Sequence, residues 1–207
     1  MNKLLSLQVL LLVSTLPAYA GLEIPPVPGP GEFLQDYAGV IDPSHEESIG
    51  KLQKIAYEQH DTPIVVVTIN SMVKYDPGGS SIERFAFNWF NKWEIGKLGP
   101  EGELINKGML LIVSVGDRKS RIELGAEWGR AQDAHCRKIT RSFMIPRFKK
   151  GDYSGGLHAA VVELSKMARR SAEAEGLPAI KETRQPGGQD LSGRIVDGML
   201  KASLGID

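Results

Sequence analysis

The fold turns on one stretch, Lys107-Gly-Met-Leu-Leu-Ile-Val-Ser-Val-Gly-Asp-Arg-Lys-Ser-Arg-Ile-Glu-Leu124. From Met109 to Val115 every residue but Ser114 is apolar, which is the pattern of a strand buried on both faces. Gly116-Asp117-Arg118-Lys119 has turn chemistry. Ser120 to Leu124 then alternates as a returning strand, so the stretch is a β-hairpin. A strand buried on both faces needs cover on each side, so the elements around it must supply two layers.

Upstream, Pro63 to Ser71 is a second run dense in Val and Ile and reads as another buried strand. Between the two runs, Ile82, Phe85, Ala86, Trp89, Phe90 and Trp93 recur at helical spacing behind Ser80-x-x-Glu83, read here as a capping box. An aromatic stripe of this kind is core. A helix between two buried strands implies a crossover and a parallel pair. Glu94 to Lys107 reads as a Gly-rich loop. Further upstream, Asp42-Pro43 opens a helix with Asp42 as N-cap, and Ile49, Leu52, Ile55 and Ala56 form its apolar stripe. Phe33 to Ile41 is apolar but interrupted by Asp36.

Downstream, Gly125 to Gln132 reads as a loop carrying Trp128. Asp133 is the expected N-cap of a helix bearing Cys136, Ile139 and Phe143, which ends before Pro146. Gly151 to Gly156 reads as a turn, followed by a helix with Leu157, Ala160, Val161, Leu164, Met167 and Ala168 on one face. The order helix, strand, helix, hairpin, helix, helix predicts an α/β fold over residues 33–172: a three-layer α/β/α sandwich with a small mixed sheet that includes the hairpin.

The ends read differently. Lys3, the apolar run Leu4 to Leu16 and Ala18-Tyr19-Ala20 before Gly21 have the three parts of a signal peptide, so residues 1–20 are expected to be removed on export to the periplasm or outside the cell, with no transmembrane anchor left after cleavage. Residues 21–32, rich in Pro and Gly, form an extended lead-in. Residues 173–207 form a flexible tail, with a weak apolar stripe that allows a short helix at 191–204.

Charge and composition exclude several classes. Lys and Arg number 25 against 25 Asp and Glu, without the basic excess of a non-specific nucleic-acid binder. The single Cys, Cys136, rules out a disulfide framework and a multi-cysteine cluster, and among helix-forming neighbours it reads as a buried filler. No phosphate-binding loop, nucleophile elbow, H-E-x-x-H or dinucleotide fingerprint occurs, so no nucleotide, flavin or haem is expected. His45, His60, His135 and His158 are scattered. His45 reads as solvated in a first helical turn, and His158 has no second His at ligand spacing. What remains is a set of loop acids, Asp36, Asp117, Glu123, Glu127, Asp133 and Asp152. Hard cations such as Ca²⁺ take several oxygens of this kind at once.

The ordered motifs resemble the TPM domain. Asp36-Tyr-Ala-Gly-Val-Ile-Asp42 resembles its opening, and Trp93-Glu-Ile-Gly96 its Trp-Gly-Ile-Gly stretch. Asn106-Lys-Gly-Met-Leu-Leu111 resembles its strand entry, and Asp117-Arg-Lys119 with Arg121-Ile-Glu123 and Gly125 its hairpin. Ile145-Pro146, Phe148 and Gly151-Asp-Tyr153 resemble the turn before its last helix. The resemblance covers roughly residues 33–170. It departs after the hairpin, where Gly125-Ala-Glu-Trp-Gly-Arg-Ala-Gln-Asp133 has a displaced aromatic, is one residue shorter than the family pattern, and matches Glu127 only across a gap.

The resemblance implies an exported α/β/α protein. It implies divalent-cation binding as described for some bacterial members, accessory action at a membrane receptor as in an animal branch, or acid phosphatase activity as assigned to a plant lumenal branch. A methanol dehydrogenase label attached to some relatives finds no quinone or propeller repeat here. The expected metal ligands are Asp36, Asp117, Glu127 and Asp133, holding Ca²⁺ or another divalent cation. The expected role is a non-catalytic accessory or cation-binding module assisting an envelope or membrane-associated protein complex. The alternative is a metal-assisted acid phosphatase acting on phosphomonoesters.

Overall fold

The computed structural model describes residues 22–98 and 104–174. Residues 1–20, expected to be a signal peptide, and nearly all of the expected tail at 173–207, with the short helix allowed at 191–204, lie outside the described residues.

In chain order, a short strand β1 (Leu34–Asp36) leads to helix α1 (Pro43–His60), strand β2 (Ile64–Ile69), helix α2 (Ile82–Lys92) and a two-residue ladder of β3 (Lys97–Leu98) with β4 (Leu104–Ile105). The hairpin strands β5 (Met109–Ser114) and β6 (Lys119–Leu124) follow, then α3 (Asp133–Ile139), α4 (Ile145–Phe148) and the long α5 (Tyr153–Ala174). The main sheet runs β1-β2-β5-β6, with the first three strands parallel and β6 antiparallel to β5.

Strand alternation divides the core in two. Ile64, Val66, Met109, Leu111 and Val113 face Ile49, Leu52 and Ala56 of α1 and Leu157, Val161 and Leu164 of α5. Val65, Val67, Ile69, Leu110 and Ile112 face Phe85, Ala86, Trp89 and Phe90 of α2. The fold is therefore the expected α/β/α sandwich. The crossovers through α1 and α2 step the same way across the sheet but put their helices on opposite faces. They have opposite hands, and one of them breaks the usual right-handed rule.

Several local details differ from the sequence reading. Asp36 ends a strand, β1, which pairs with β2 in the register Leu34 to Val66. The cap of α2 is Ser81, whose hydroxyl accepts from the Arg84 N–H at 3.3 Å, while Ser80 is held by Asp76. Asp133 is the first helical residue of α3 and makes no side-chain cap bond. The helical run does not stop at Pro146. It widens into a π turn over Thr140–Met144, where the Ile145 N–H reaches the Thr140 carbonyl, and Pro146 then sits in the first turn of α4, where its missing N–H costs nothing. The lead-in is held against α2: Trp93 Nε1 donates to the Pro25 carbonyl at 2.9 Å, and the Glu23 N–H donates to the Tyr75 carbonyl at 2.7 Å.

Two glycines pin the loop before the hairpin. A Cβ on Gly108 would lie 2.1 Å from the Ile95 carbonyl oxygen, and one on Gly125 would lie 2.1 Å from that of Asn106. Only glycine permits these backbone approaches.

Candidate functional site

In an open α/β sheet, ligands bind beyond the carboxyl ends of the parallel strands. Two of the four expected ligands stand there. Asp36 closes β1. Its Oδ1 accepts from the Val40 N–H at 3.2 Å and from the Thr68 hydroxyl, and its Oδ2 accepts from the Ile41 N–H at 2.9 Å. The loop 37–41 is thereby folded back over the strand end, with Ala38 N–H on Thr68 Oγ1 at 3.2 Å.

Asp117 lies in the hairpin turn beyond β5. Its Oδ2 accepts from the Met72 N–H at 2.6 Å and the Ser114 hydroxyl at 2.6 Å. Among the described residues its Oδ1 receives only the Ser71 hydroxyl, at 3.1 Å, shared with Oδ2 at 3.3 Å. The Ser114 hydroxyl and the Met72 N–H, with smaller help from Ser71 and Lys119, hold the Asp117 carboxyl below the usual carboxylate range. It is therefore an exposed anion at neutral pH.

The other two expected ligands are elsewhere. Glu127 accepts from the Asn106 N–H at 2.7 Å, at the end of the sheet where β5 begins and β6 finishes. A six-residue strand, about 17 Å long, separates that end from Asp36 and Asp117. Asp133 opens α3 on the surface. Among the described residues, no three His, Cys, Asp or Glu side chains stand close enough together to hold a metal ion. The donors at the carboxyl edge are hard oxygens of the right kind for Ca²⁺, but they do not form a ready-made cage. Of the remaining loop acids, Glu123 pairs with Arg121 at 2.9 Å, and Asp152 accepts from the Gly155 N–H at 2.8 Å at the start of α5.

A second polar group joins the amino ends of α1 and α5. Asp42 caps α1 through the His45 N–H at 2.9 Å. The Ser154 hydroxyl donates to Asp42 Oδ2 at 2.6 Å and accepts from the Asp42 N–H at 3.0 Å. His45 Nδ1 lies 2.8 Å from Asp42 Oδ2 and 2.9 Å from Ser154 Oγ. The His158 ring stacks against His45 with centroids 4.8 Å apart, and its Nε2 is 3.0 Å from the Ser48 hydroxyl. The Ser154 hydroxyl, then the His45 N–H and Ser44, hold the Asp42 carboxyl far below its ordinary range. Burial, then the His45 and Arg147 charges, hold the His158 pKa down.

Ser, His and Asp are all present here, but a catalytic relay needs the two ring nitrogens of the His to face the Asp and the Ser separately. In this cluster both partners crowd the same Nδ1, and the serine proton already rests on Asp42. The cluster is a clasp between helices. By sequence His45 reads as solvated and His158 as isolated; the residues that join them, Asp42 and Ser154, are more than a hundred positions apart. The signal within reach was local: a His three residues after an N-cap Asp, on the side where α5 must pack. Cys136 is buried as expected, and desolvation, with Asp133 nearby, pushes its thiol pKa up to about 11.

The model of one family, the TPM domain, matches residues 34–167. The chain belongs to the TPM-domain family. Solved structures share the fold of this TPM domain. The solution NMR structure of the N-terminal domain of a protein from P. gingivalis is similar at 27% identity and a TM-score of 0.56, over 68% of this chain and 84% of that one. That of the N-terminal domain of the cg2496 protein from Corynebacterium glutamicum shares the fold at 13% identity and a TM-score of 0.51, over 80% of this chain and 93% of that one. No curated protein matches the chain.

Proposed function

We propose that this TPM domain is an exported, non-catalytic accessory module of an envelope or membrane-associated complex, and that its carboxyl edge takes up a divalent cation weakly through Asp117. One observation carries the reading: among the described residues, the groups best suited to chemistry are already bonded within the fold or buried in it. Both oxygens of Asp36 accept N–H or O–H donors, Ser154 is bonded to Asp42, and the Cys136 thiol is buried and fully protonated at neutral pH. Asp117 is the exception in one respect, since its exposed Oδ1 carries only a shared hydroxyl and keeps room for a cation. A site offering one protein carboxylate, completed by water, belongs at the weak end of the calcium range, around millimolar.

The test uses residues 21–207, the expected exported form. Ca²⁺ at several times its dissociation constant should raise the melting temperature through linkage, EDTA should reverse the rise, and Asp117→Asn should abolish it. Absence of any shift at millimolar Ca²⁺ would sink the cation reading. The second reading, a metal-assisted acid phosphatase, draws on the phosphatase in the matching family model's name and on the position of Asp117 at the sheet's ligand-binding edge. Turnover of a generic phosphomonoester at acid pH that follows the protein through purification, and is lost in Asp117→Asn, would overturn the non-catalytic reading.

A further inference from the structure

The helical run from α3 through the π turn to α4 presents a ridge that the functional reading above does not use. Its exposed residues come in pairs every four positions: Asp133 with Ala134 at its start, then Arg137 with Lys138, Arg141 with Ser142, Ile145 with Pro146, and Lys149 with Lys150. In an α-helix a step of four advances about 400°, so such a row drifts by about 40° at each step. The wide turn at Thr140–Met144 takes in extra residues and brings the row back into line. The opposite side of the same run, Cys136, Ile139 and Met144, is locked into the core. The ridge is thus fixed in place and spans roughly 20 Å.

Its charge is one-sided. After Asp133, the single acid at its amino end, the run over residues 134–150 holds six Lys and Arg and no Asp or Glu, so the other nineteen basic residues of the chain stand against all twenty-five acids. Arg147 leans toward Asp152, with Nε 4.0 Å from Oδ2. Among the described residues, Arg137, Lys138, Arg141, Lys149 and Lys150 form no ion pair. In the middle of these cations Ile145 is 38% exposed.

We propose that this ridge docks the domain onto an anionic lipid surface. The occupant follows from the chemistry of the patch. A protein partner would need a desolvated apolar or aromatic centre ringed by polar groups. The ridge offers one half-exposed isoleucine among separate, extended cations. Adsorption to a charged bilayer needs only a row of cations within a Debye length of the headgroups, with a small apolar side chain at their level. The acidic remainder of the molecule would be repelled from the same surface, which orients the domain ridge-down. The proposal uses no residue of the carboxyl edge, so it stands or falls apart from the cation reading.

The test is flotation of residues 21–207 with phosphatidylcholine vesicles, with and without about 30% phosphatidylglycerol, at about 0.1 M and about 0.5 M salt. The protein should float only with the anionic vesicles and be released by the higher salt. Arg137→Gln/Arg141→Gln/Lys149→Gln should weaken binding by roughly a hundredfold. Lys51→Gln/Lys54→Gln/Arg84→Gln, which removes as much exposed charge from α1 and α2, should weaken it far less. All ridge substitutions are at exposed positions, and a thermal melt of each variant verifies folding. Equal loss in the two triple variants, or equal binding to neutral vesicles, would overturn the proposal. So would failure to bind anionic vesicles alongside capture by polyglutamate, which would assign the ridge to an acidic protein.

Discussion

The two faces of the sheet are built by different means. On the α2 face a few large rings carry the packing: Trp89 meets Tyr75, Phe85 and Trp93 edge-on, at centroid distances of 5.5, 5.5 and 5.2 Å. On the α1–α5 face the side chains are smaller, with Ala56, Ala160 and Ala168 letting the helices come close, and a polar clasp closes one end. The aromatic face concentrates its stability in single residues. The other spreads its stability thinly and ties part of it to protonation. Substitution should therefore hurt the first face more, and pH should act mainly on the second.

The largest expected effect is Trp89→Ala, which empties a fully buried ring site and should cost about 3–5 kcal/mol in urea unfolding. A loss below about 1 kcal/mol would contradict the view that this face rests on its rings. Gly125→Ala comes next: the added methyl meets the Asn106 backbone, and the local shift should cost about 2–3 kcal/mol, read as a lowered denaturation midpoint. On the opposite face, Ser154→Ala removes the hydroxyl that both donates to Asp42 and accepts from its N–H, and should cost about 1 kcal/mol.

The clasp also gives the acid side a sign. The Asp42 pKa is depressed in the folded state, so its contribution is present above the unfolded value near ~4 and is lost as pH falls below it. Ser154→Ala should make that acid limb shallower.

His158 works over a higher window. Its folded pKa is also depressed, so the unfolded chain binds the proton first, and stability drops as pH falls below the unfolded value of ~6.5. His60 and His135 are shifted the same way, mainly by burial. The test is therefore the difference: His158→Gln should flatten the stability slope between about pH 5 and about pH 7 relative to wild type. An unchanged slope would show that the clasp does not respond to pH. The smallest effect belongs to Phe87→Ser at an exposed position of α2, which should stay within about 0.5 kcal/mol.

The same contrast explains what could be read from the sequence. Periodicity reports large apolar side chains, so α1, α2, α5 and the strands β2, β5 and β6 were all legible. β1 was not, because three residues ending in Asp36 show no alternation to count and the strand is defined by its pairing with Val66 to Thr68. Pro146 was misleading because a proline stops a helix only where its N–H is needed, and the π turn before it removes that need. The candidate ligands were read by residue type and loop position. Those properties put all four in or beside loops but could not show which loops share an end; only the strand pairing puts Asp36 and Asp117 at one end of the sheet and Glu127 at the other. The clasp was invisible because its bonds join residues whose separation along the chain carries no pattern.

The opposite hands of the two crossovers bear on the order in which the protein is completed. A chain leaves the ribosome amino end first. The apolar cluster under α2 draws only on residues up to Ile112, so that layer can close as soon as the hairpin is out. The cluster under α1 extends to Ala168. Until α5 emerges, the nascent chain carries one finished face and one bare face, with Ile49, Leu52 and the inward side chains of β2 and β5 still short of their cover. During that interval the half-built domain presents a defined apolar surface to any chaperone that meets the nascent chain.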